Sequence, residues 1–195
     1  MIFKSYFIKF FQQLRNTVYF KWRFKKLGEN VKFGRMNRIR GGQHIEIDDN
    51  CIFGNNLRLE AISQYGGGIY CPSIIFGKNV VINQNFHCTC ANTIVIGDGT
   101  SITANCGVFD IIHPYDDISI NPRIASIKTK PVVIGKDCII GMNTVILPGT
   151  QMGNHCVVGA NSTVSGVFPD NCVIVGSPAK IVKRYDKGSN KWLRV

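Results

Sequence analysis

IGKDCIIGMNTVILPGTQMGNHCVVGANSTVSG, residues 134–166, repeats itself every six positions. Stepping by six from Ile134 gives Ile140, Ile146, Met152, Val158 and Val164, all aliphatic or Met. The next residue is usually Gly (Gly135, Gly141, Gly153, Gly159), and the fifth is small: Cys138, Thr144, Thr150, Cys156, Ser162. At Phe168, where a sixth small residue is due, the pattern stops. Each hexad reads as a short strand and a turn, with the apolar side chain inward and the Gly permitting the tight backbone of a corner. Three hexads then close one triangular coil, and stacked coils share a continuous apolar core.

The same step recurs upstream in the sets Leu27, Phe33, Ile39; Ile47, Phe53, Leu59; Phe76, Ile82, Cys88; and Ile96, Ile102, Val108. An all-β parallel helix of strands over residues 27–178 is the expectation. It also accounts for the thiols. Cys51, Cys106, Cys138 and Cys156 fall on the small fifth position and Cys88 on an inward one, so buried packing explains them better than disulfides.

A chain of 195 residues with 45% apolar and 18% charged residues is long enough for one domain with a real core. It lacks a run of about 18 apolar residues, and Lys4, Lys9 and Arg15 interrupt the apolar N-terminus, which excludes a spanning helix or secretory signal there. The net charge of +11 sits at the ends: residues 1–40 hold 11 Lys/Arg against Glu29 alone, and residues 179–195 hold six against Asp186. A basic stripe across the folded body, as nucleic acid requires, is not what this distribution gives, so no nucleic-acid partner is expected.

Three segments depart from the hexads. AISQYGGGIYCPS (61–73) and the stretch 109–131, which holds His113 among Asp110, Asp116 and Asp117, are insertions of the kind that carry function on a rigid scaffold. Residues 1–26 form a basic arm in which Ile2, Phe3, Tyr6, Phe7, Phe10, Phe11, Leu14 and Val18 share one helical face. That short N-terminal helix lies on an anionic membrane surface or caps the prism and packs on a neighbouring subunit. The segment NFHCTCANT (85–93) looks like zinc ligation, but the hexad register turns Cys88 into the core, and no second Cys/His pair accompanies it. No metal is expected.

With these motifs in place the chain resembles the hexapeptide-repeat acyltransferases, in particular the sugar and polysaccharide O-acetyltransferases similar to maltose and galactoside acetyltransferases. The resemblance covers residues 27 to about 185. Its specific parts are the hexads, Ile96-Gly97-Asp98 followed fifteen residues later by His113-Pro114, the block Pro131-Val132-Val133-Ile134-Gly135, and the closure Gly176-Ser177-Pro178-Ala179-Lys180 with Lys183. It implies a left-handed β-helix, a homotrimer and acetyl-CoA as co-substrate, bound in a groove between neighbouring prisms. It implies His113 as general base, with Asp116 or Asp110 orienting the imidazole; an acid three residues after the His in related enzymes favours Asp116. By the same resemblance Gly141, Met142, Gly159, Ala160, Ser165, Lys180 and Lys183 bind CoA, the Gly141–Met142 amide meets the oxyanion, and Asn83, Asn85 and His87 face the acceptor. A Trp that the family often carries before the equivalent of Ile140 is Ile139 here, so its stacking is absent.

The expected reaction is acetyl transfer to a sugar hydroxyl of a surface polysaccharide, O-antigen or capsule, or of a lipid-linked glycan precursor, in the cytoplasm or at the inner face of its membrane. Amino sugars and antibiotics are alternative acceptors on the same scaffold. A three-His zinc centre like that of γ-type carbonic anhydrases is a further alternative, for which only His44, His87, His113 and His155 are available. Residues 179–195 read as a basic C-terminal tail.

Overall fold

The computed structural model describes residues 21–195; the helix expected over residues 2–18 lies outside them. Three flat sheets of parallel strands form the faces of a triangular prism. The inward rows follow the hexad arithmetic. The first face stacks Leu27, Ile47, Phe76, Ile96, Ile134, Met152 and Phe168. The second stacks Phe33, Phe53, Ile82, Ile102, Ile140, Val158 and Ile174. The third stacks Ile39, Leu59, Cys88, Val108, Ile146 and Val164. Almost every member is fully buried. Phe168 is therefore the inward residue of the next coil: a shortened corner brings it over Met152 two residues early. At the N-terminal end Phe24, Phe33, Phe53 and Phe76 stack up the axis with ring centroids 5.7, 5.0 and 5.0 Å apart, closing the core with aromatic area.

The corners divide their work differently from the sequence expectation. The left-handed backbone sits on the fourth residue of the hexad, as at Asn50, Asn79, Asp137, Asn143, His155 and Asn161, all with φ near +60°. Asn tolerates that conformation better than other side-chain-bearing residues. The Gly at the second position has another cause. A Cβ on Gly135 would lie 2.5 Å from the Gly153 carbonyl oxygen, and one on Gly141 2.5 Å from the Ala160 nitrogen. Coil stacking, not turn conformation, demands those glycines.

Between the second and third faces the corner asparagines form a ladder. Asn56, Asn85, Asn105, Asn143 and Asn161 are joined by amide hydrogen bonds of 2.8–3.0 Å. The small fifth residues also have a polar duty. Cys51 donates to the Gly77 carbonyl at 3.0 Å, Thr100 to Gly135 at 2.8 Å, and Cys106 to Gly141 at 3.2 Å. Cys, Thr and Ser interchange here because each is a small hydrogen-bond donor.

Steps from first to second face and from second to third are always six residues. Long insertions enter only at the third corner, between strands Arg58–Ala61 and Ser73–Phe76, and between Gly107–Phe109 and Val132–Ile134. Both excursions consequently leave the prism along one edge, and they touch. Tyr70 Oη donates to the Ile127 carbonyl at 3.1 Å and Ser126 Oγ to the Gly66 carbonyl at 2.6 Å. The expected C-terminal tail is a hairpin, Ala179–Asp186 with Lys191–Arg194, that continues the second face antiparallel from Cys172–Gly176. Among the described residues no helix is long and apolar enough to cross a membrane.

Candidate active site

The second insertion is anchored at its base. Ile111–Ile112 pairs antiparallel with Lys128–Thr129, making an arm whose root is Asp110. Asp110 points into the prism, fully buried, and its carboxylate accepts the N–H groups of Ala91 and Asn92 at 2.8 Å each and the Cys90 thiol at 3.1 Å. It fastens the arm to the coil below. Asp116 pairs with Lys128 at 2.7 Å, and that ammonium holds its carboxyl below the usual range. Asp117 caps Ser119. The structure thus brings neither Asp110 nor Asp116 into hydrogen-bond contact with His113. Asp110 is committed to the coil below and Asp116 to the arm's own Lys128.

His113 is exposed, and its one hydrogen bond among the described residues is 3.2 Å long, between Nδ1 and the Pro122 carbonyl. A carbonyl oxygen only accepts, so the neutral imidazole that makes this bond carries its proton on Nδ1 and its lone pair on Nε2. The Tyr65 ring, from the first insertion, meets the imidazole edge-on with centroids 5.4 Å apart and planes at 71°. The turn holding Pro122 is itself fixed: Asn121 accepts the Arg123 N–H through its side chain at 2.9 Å and the Ile124 N–H through its carbonyl at 3.0 Å.

His87 lies on the outer surface of the third face. Strand alternation points Cys88 and Cys90 inward while His87 and Thr89 point outward, so the three apparent metal ligands cannot converge. Burial raises both thiols' pKa values. Among the described residues no cluster of three His, Cys, Asp or Glu forms a metal site. His87 Nε2 sits 3.0 Å from Thr89 Oγ1 and 3.8 Å from the buried Glu60, which is paired with Arg58 at 2.8 Å. Phe109 closes its flank at 5.1 Å. Burial and then the Arg58 charge push this imidazole below its ordinary pKa, so it is neutral at pH 7. Of the two asparagines, Asn83 is exposed at the corner between the second and third faces. Asn85 is a rung of the ladder, accepting from Asn56 and donating to Asn105, and its side chain serves the corner.

Asn83, Gly141 and Gly159 stand in one vertical row at that same corner. Beside them the third-position amides differ between corners. Between the first and second faces four of these N–H groups are capped by the next coil: Glu29 by Asp49, Lys78 by Asp98, Lys136 by Asn154, Asn154 by Asp170. Between the second and third faces Arg35 is capped by Asn55 and Gly176 by Ser162 Oγ. The N–H groups of Gln84, Ala104, Met142 and Ala160 have no hydrogen-bond partner among the described residues, and Gln84, Met142 and Ala160 are exposed. The Gly141 N–H, by contrast, is spent on Val158 at 2.8 Å, so of that pair only Met142 offers a donor. Lys180 pairs with Val175 directly above this row, and Lys183 lies further along the same strand, both exposed. Ser165 follows Val164 at the third corner, a face away from the others.

Known proteins share the sequence and fold that carry this site. The family model for bacterial transferase hexapeptides (six repeats) fits residues 131–166. WbbJ of Escherichia coli K12, provisionally named a lipopolysaccharide biosynthesis O-acetyl transferase, is 37% identical over 161 residues, 79% of this chain and 79% of that protein. The chain belongs to the hexapeptide-repeat acetyltransferases. The galactoside O-acetyltransferase of the same organism is 32% identical to this acetyltransferase over 58% of its chain and 55% of the relative. In structure, a galactoside acetyltransferase in complex with coenzyme A superposes with a TM-score of 0.63 at 21% identity, covering 91% of this chain and 74% of that one. A Vibrio cholerae hexapeptide-repeat acetyltransferase solved with acetyl coenzyme A gives 0.62 at 21%, covering 90% and 79%. The fold is the left-handed parallel β-helix. Sequence reasoning passed over Tyr65, Pro122 and the open amides of Gln84 and Ala104. Backbone groups leave no side-chain signature, and Tyr65 acquires meaning only when two insertions meet.

Proposed function

We propose that this acetyltransferase moves an acetyl group from acetyl-CoA to a sugar hydroxyl of a surface polysaccharide or its precursor, with His113 as general base. One observation carries the choice of base: the Pro122 carbonyl fixes Nδ1 as the protonated nitrogen, leaving Nε2 as a lone pair on an exposed, anchored arm. The sugar O–H gives its proton to Nε2 as its oxygen bonds to the thioester carbonyl carbon. The tetrahedral oxyanion then collapses, the C–S bond breaks, and the imidazolium returns the proton to the CoA thiolate. Positioned proton transfer of this kind is worth roughly 10²–10⁴-fold. The cation that forms midway faces the Pro122 carbonyl dipole and the Tyr65 ring, which take the place of an orienting carboxylate.

The open N–H of Met142 suits the oxyanion, and those of Ala104 and Ala160 suit an amide-bearing pantetheine arm laid along the corner. Gly141 and Gly159 let that arm approach the backbone, and Lys180 and Lys183 supply charge for phosphates beyond it. Ser165, at another corner, falls outside this row. Asn83 stands in the same row two coils below Gly141 and suits the acceptor, with His87 on the adjoining face. Because the arm and the open amides occupy different edges of one prism, a homotrimer in which the arm of one subunit reaches the amide column of the next completes the site. Tyr115, Ile118, Ile120 and Ile124 on the arm are exposed apolar residues that such a neighbour would cover. A lipid-linked glycan at the inner membrane face, met by the basic arm of residues 1–26, fits the WbbJ likeness.

The test is release of CoA thiol in the presence of acetyl-CoA and a panel of sugars, amino sugars and polysaccharide repeats. His113→Ala should lower turnover with the preferred hydroxyl acceptor by about 10²–10⁴-fold. Undiminished turnover would remove His113 as the base, and exclusive use of amino acceptors would reject O-transfer.

A further inference from the structure

Of the excursion 61–73 the reaction as described uses only the Tyr65 ring, yet the segment is tied to the arm at three further points, through Tyr65 Oη, Ser126 Oγ and Tyr70 Oη. We infer that Tyr65 is a positioning residue that holds the His113 imidazole in its productive orientation; the inference rests on the reading of His113 as base. Adjacent carbonyls of one turn hold two aromatic rings: Pro122 C=O accepts from His113 Nδ1, and Arg123 C=O accepts from the Tyr65 hydroxyl. The two rings then meet edge-on at 5.4 Å. The three contacts close a loop, so the imidazole is fixed along its Nδ1–H bond by the turn and about that bond by the Tyr65 ring.

The rest of the excursion keeps Tyr65 in place. Ser126 Oγ donates to the Gly66 carbonyl, and Tyr70 Oη to the Ile127 carbonyl. Gly66, at φ +55°, has room for no Cβ, which would fall 2.2 Å from the Ala125 oxygen. Residues 61–73 contain no Lys, Arg, Asp or Glu, so the hold is one of packing and hydrogen bonds. The acids nearest His113 on the arm are engaged elsewhere, Asp116 with Lys128 and Asp117 with Ser119. Without Tyr65 the imidazole keeps one hydrogen bond and gains rotation about it, and a base displaced by about 1 Å loses on the order of 10²-fold in rate.

Three variants of the full-length chain separate ring from hydroxyl: Tyr65→Phe, Tyr65→Leu and Tyr65→Ala. The expected result is a kcat only a few-fold lower for Tyr65→Phe, which keeps the ring. Tyr65→Leu and Tyr65→Ala should lose about 10²-fold in kcat with the KM for acetyl-CoA unchanged. In parallel, ¹⁵N NMR of the imidazole, with the His113 resonance assigned by its absence in His113→Gln, reads the tautomer without any turnover. The wild type and Tyr65→Phe should show the Nδ1-protonated form, and Tyr65→Leu a mixture. Wild-type kcat and tautomer in Tyr65→Leu would overturn the inference. Equal losses in Phe and Leu would also overturn it, since the hydroxyl anchor and not the ring would then matter. If His113→Ala remains active, the catalytic reading falls, while the tautomer experiment still decides whether Tyr65 holds the ring.

Discussion

Thr100 condenses the residue-level rule of this prism. It is fully buried, donates to the Gly135 carbonyl at 2.8 Å and accepts from the Cys138 N–H at 3.1 Å. Valine has the right shape and neither polar function, so Thr100→Val strands a carbonyl and an amide inside a stacked corner. A loss of about 1–3 kcal/mol is expected, read as a lower denaturant midpoint with unchanged slope. Thr100→Ser should retain most of that stability. The same logic recasts the cysteines: they are donors and fillers, with the Cys51 thiol pushed up to about 11 by burial and thus inert as a nucleophile.

At the scale of elements, the arm 110–130 is held by three devices of different strength. The Asp116–Lys128 pair is exposed on both partners and contributes little. The short Ile111–Ile112 pairing with Lys128–Thr129 sets direction. Asp110 carries the load, because its buried carboxylate satisfies two backbone N–H groups of the coil below. Asp110→Ala leaves both amides unpaired next to an emptied site. A destabilisation of about 2–3 kcal/mol follows, together with faster limited proteolysis within 111–130. Asp116→Ala should leave the denaturant midpoint indistinguishable from wild type. Equal effects of the two substitutions would contradict this division.

For the whole molecule, the proposed trimer rests on the separation of arm and amide column on different edges. Ile118 is 100% exposed at the tip region of the arm and Tyr115 76% exposed, a poor arrangement for an isolated prism. Sedimentation equilibrium should find three copies. Ile118→Asp should weaken that association, and turnover should become dependent on protein concentration while the far-ultraviolet circular dichroism of the β-helix stays unchanged. A monomer with full, concentration-independent turnover would dispose of the shared site.

The hexad arithmetic alone determined the prism, its inward rows and the two insertions, because a six-residue step of apolar side chains has one economical way to bury them all. Leu27 through Val164 lie where that step puts them. The family resemblance, through a His-Pro fifteen residues after Asp98, singled out His113. Tertiary structure alone decided which partner each site residue has. It gave Asp110 to the Ala91 and Asn92 amides, Asp116 to Lys128, Asn85 to the corner ladder, and His113 to Pro122 and Tyr65. It also left the Met142 amide open while spending that of Gly141. Those pairings depend on backbone groups and on two loops far apart in sequence meeting at one corner. A linear chain records neither, because a peptide N–H or C=O is the same at every position until folding gives it a neighbour.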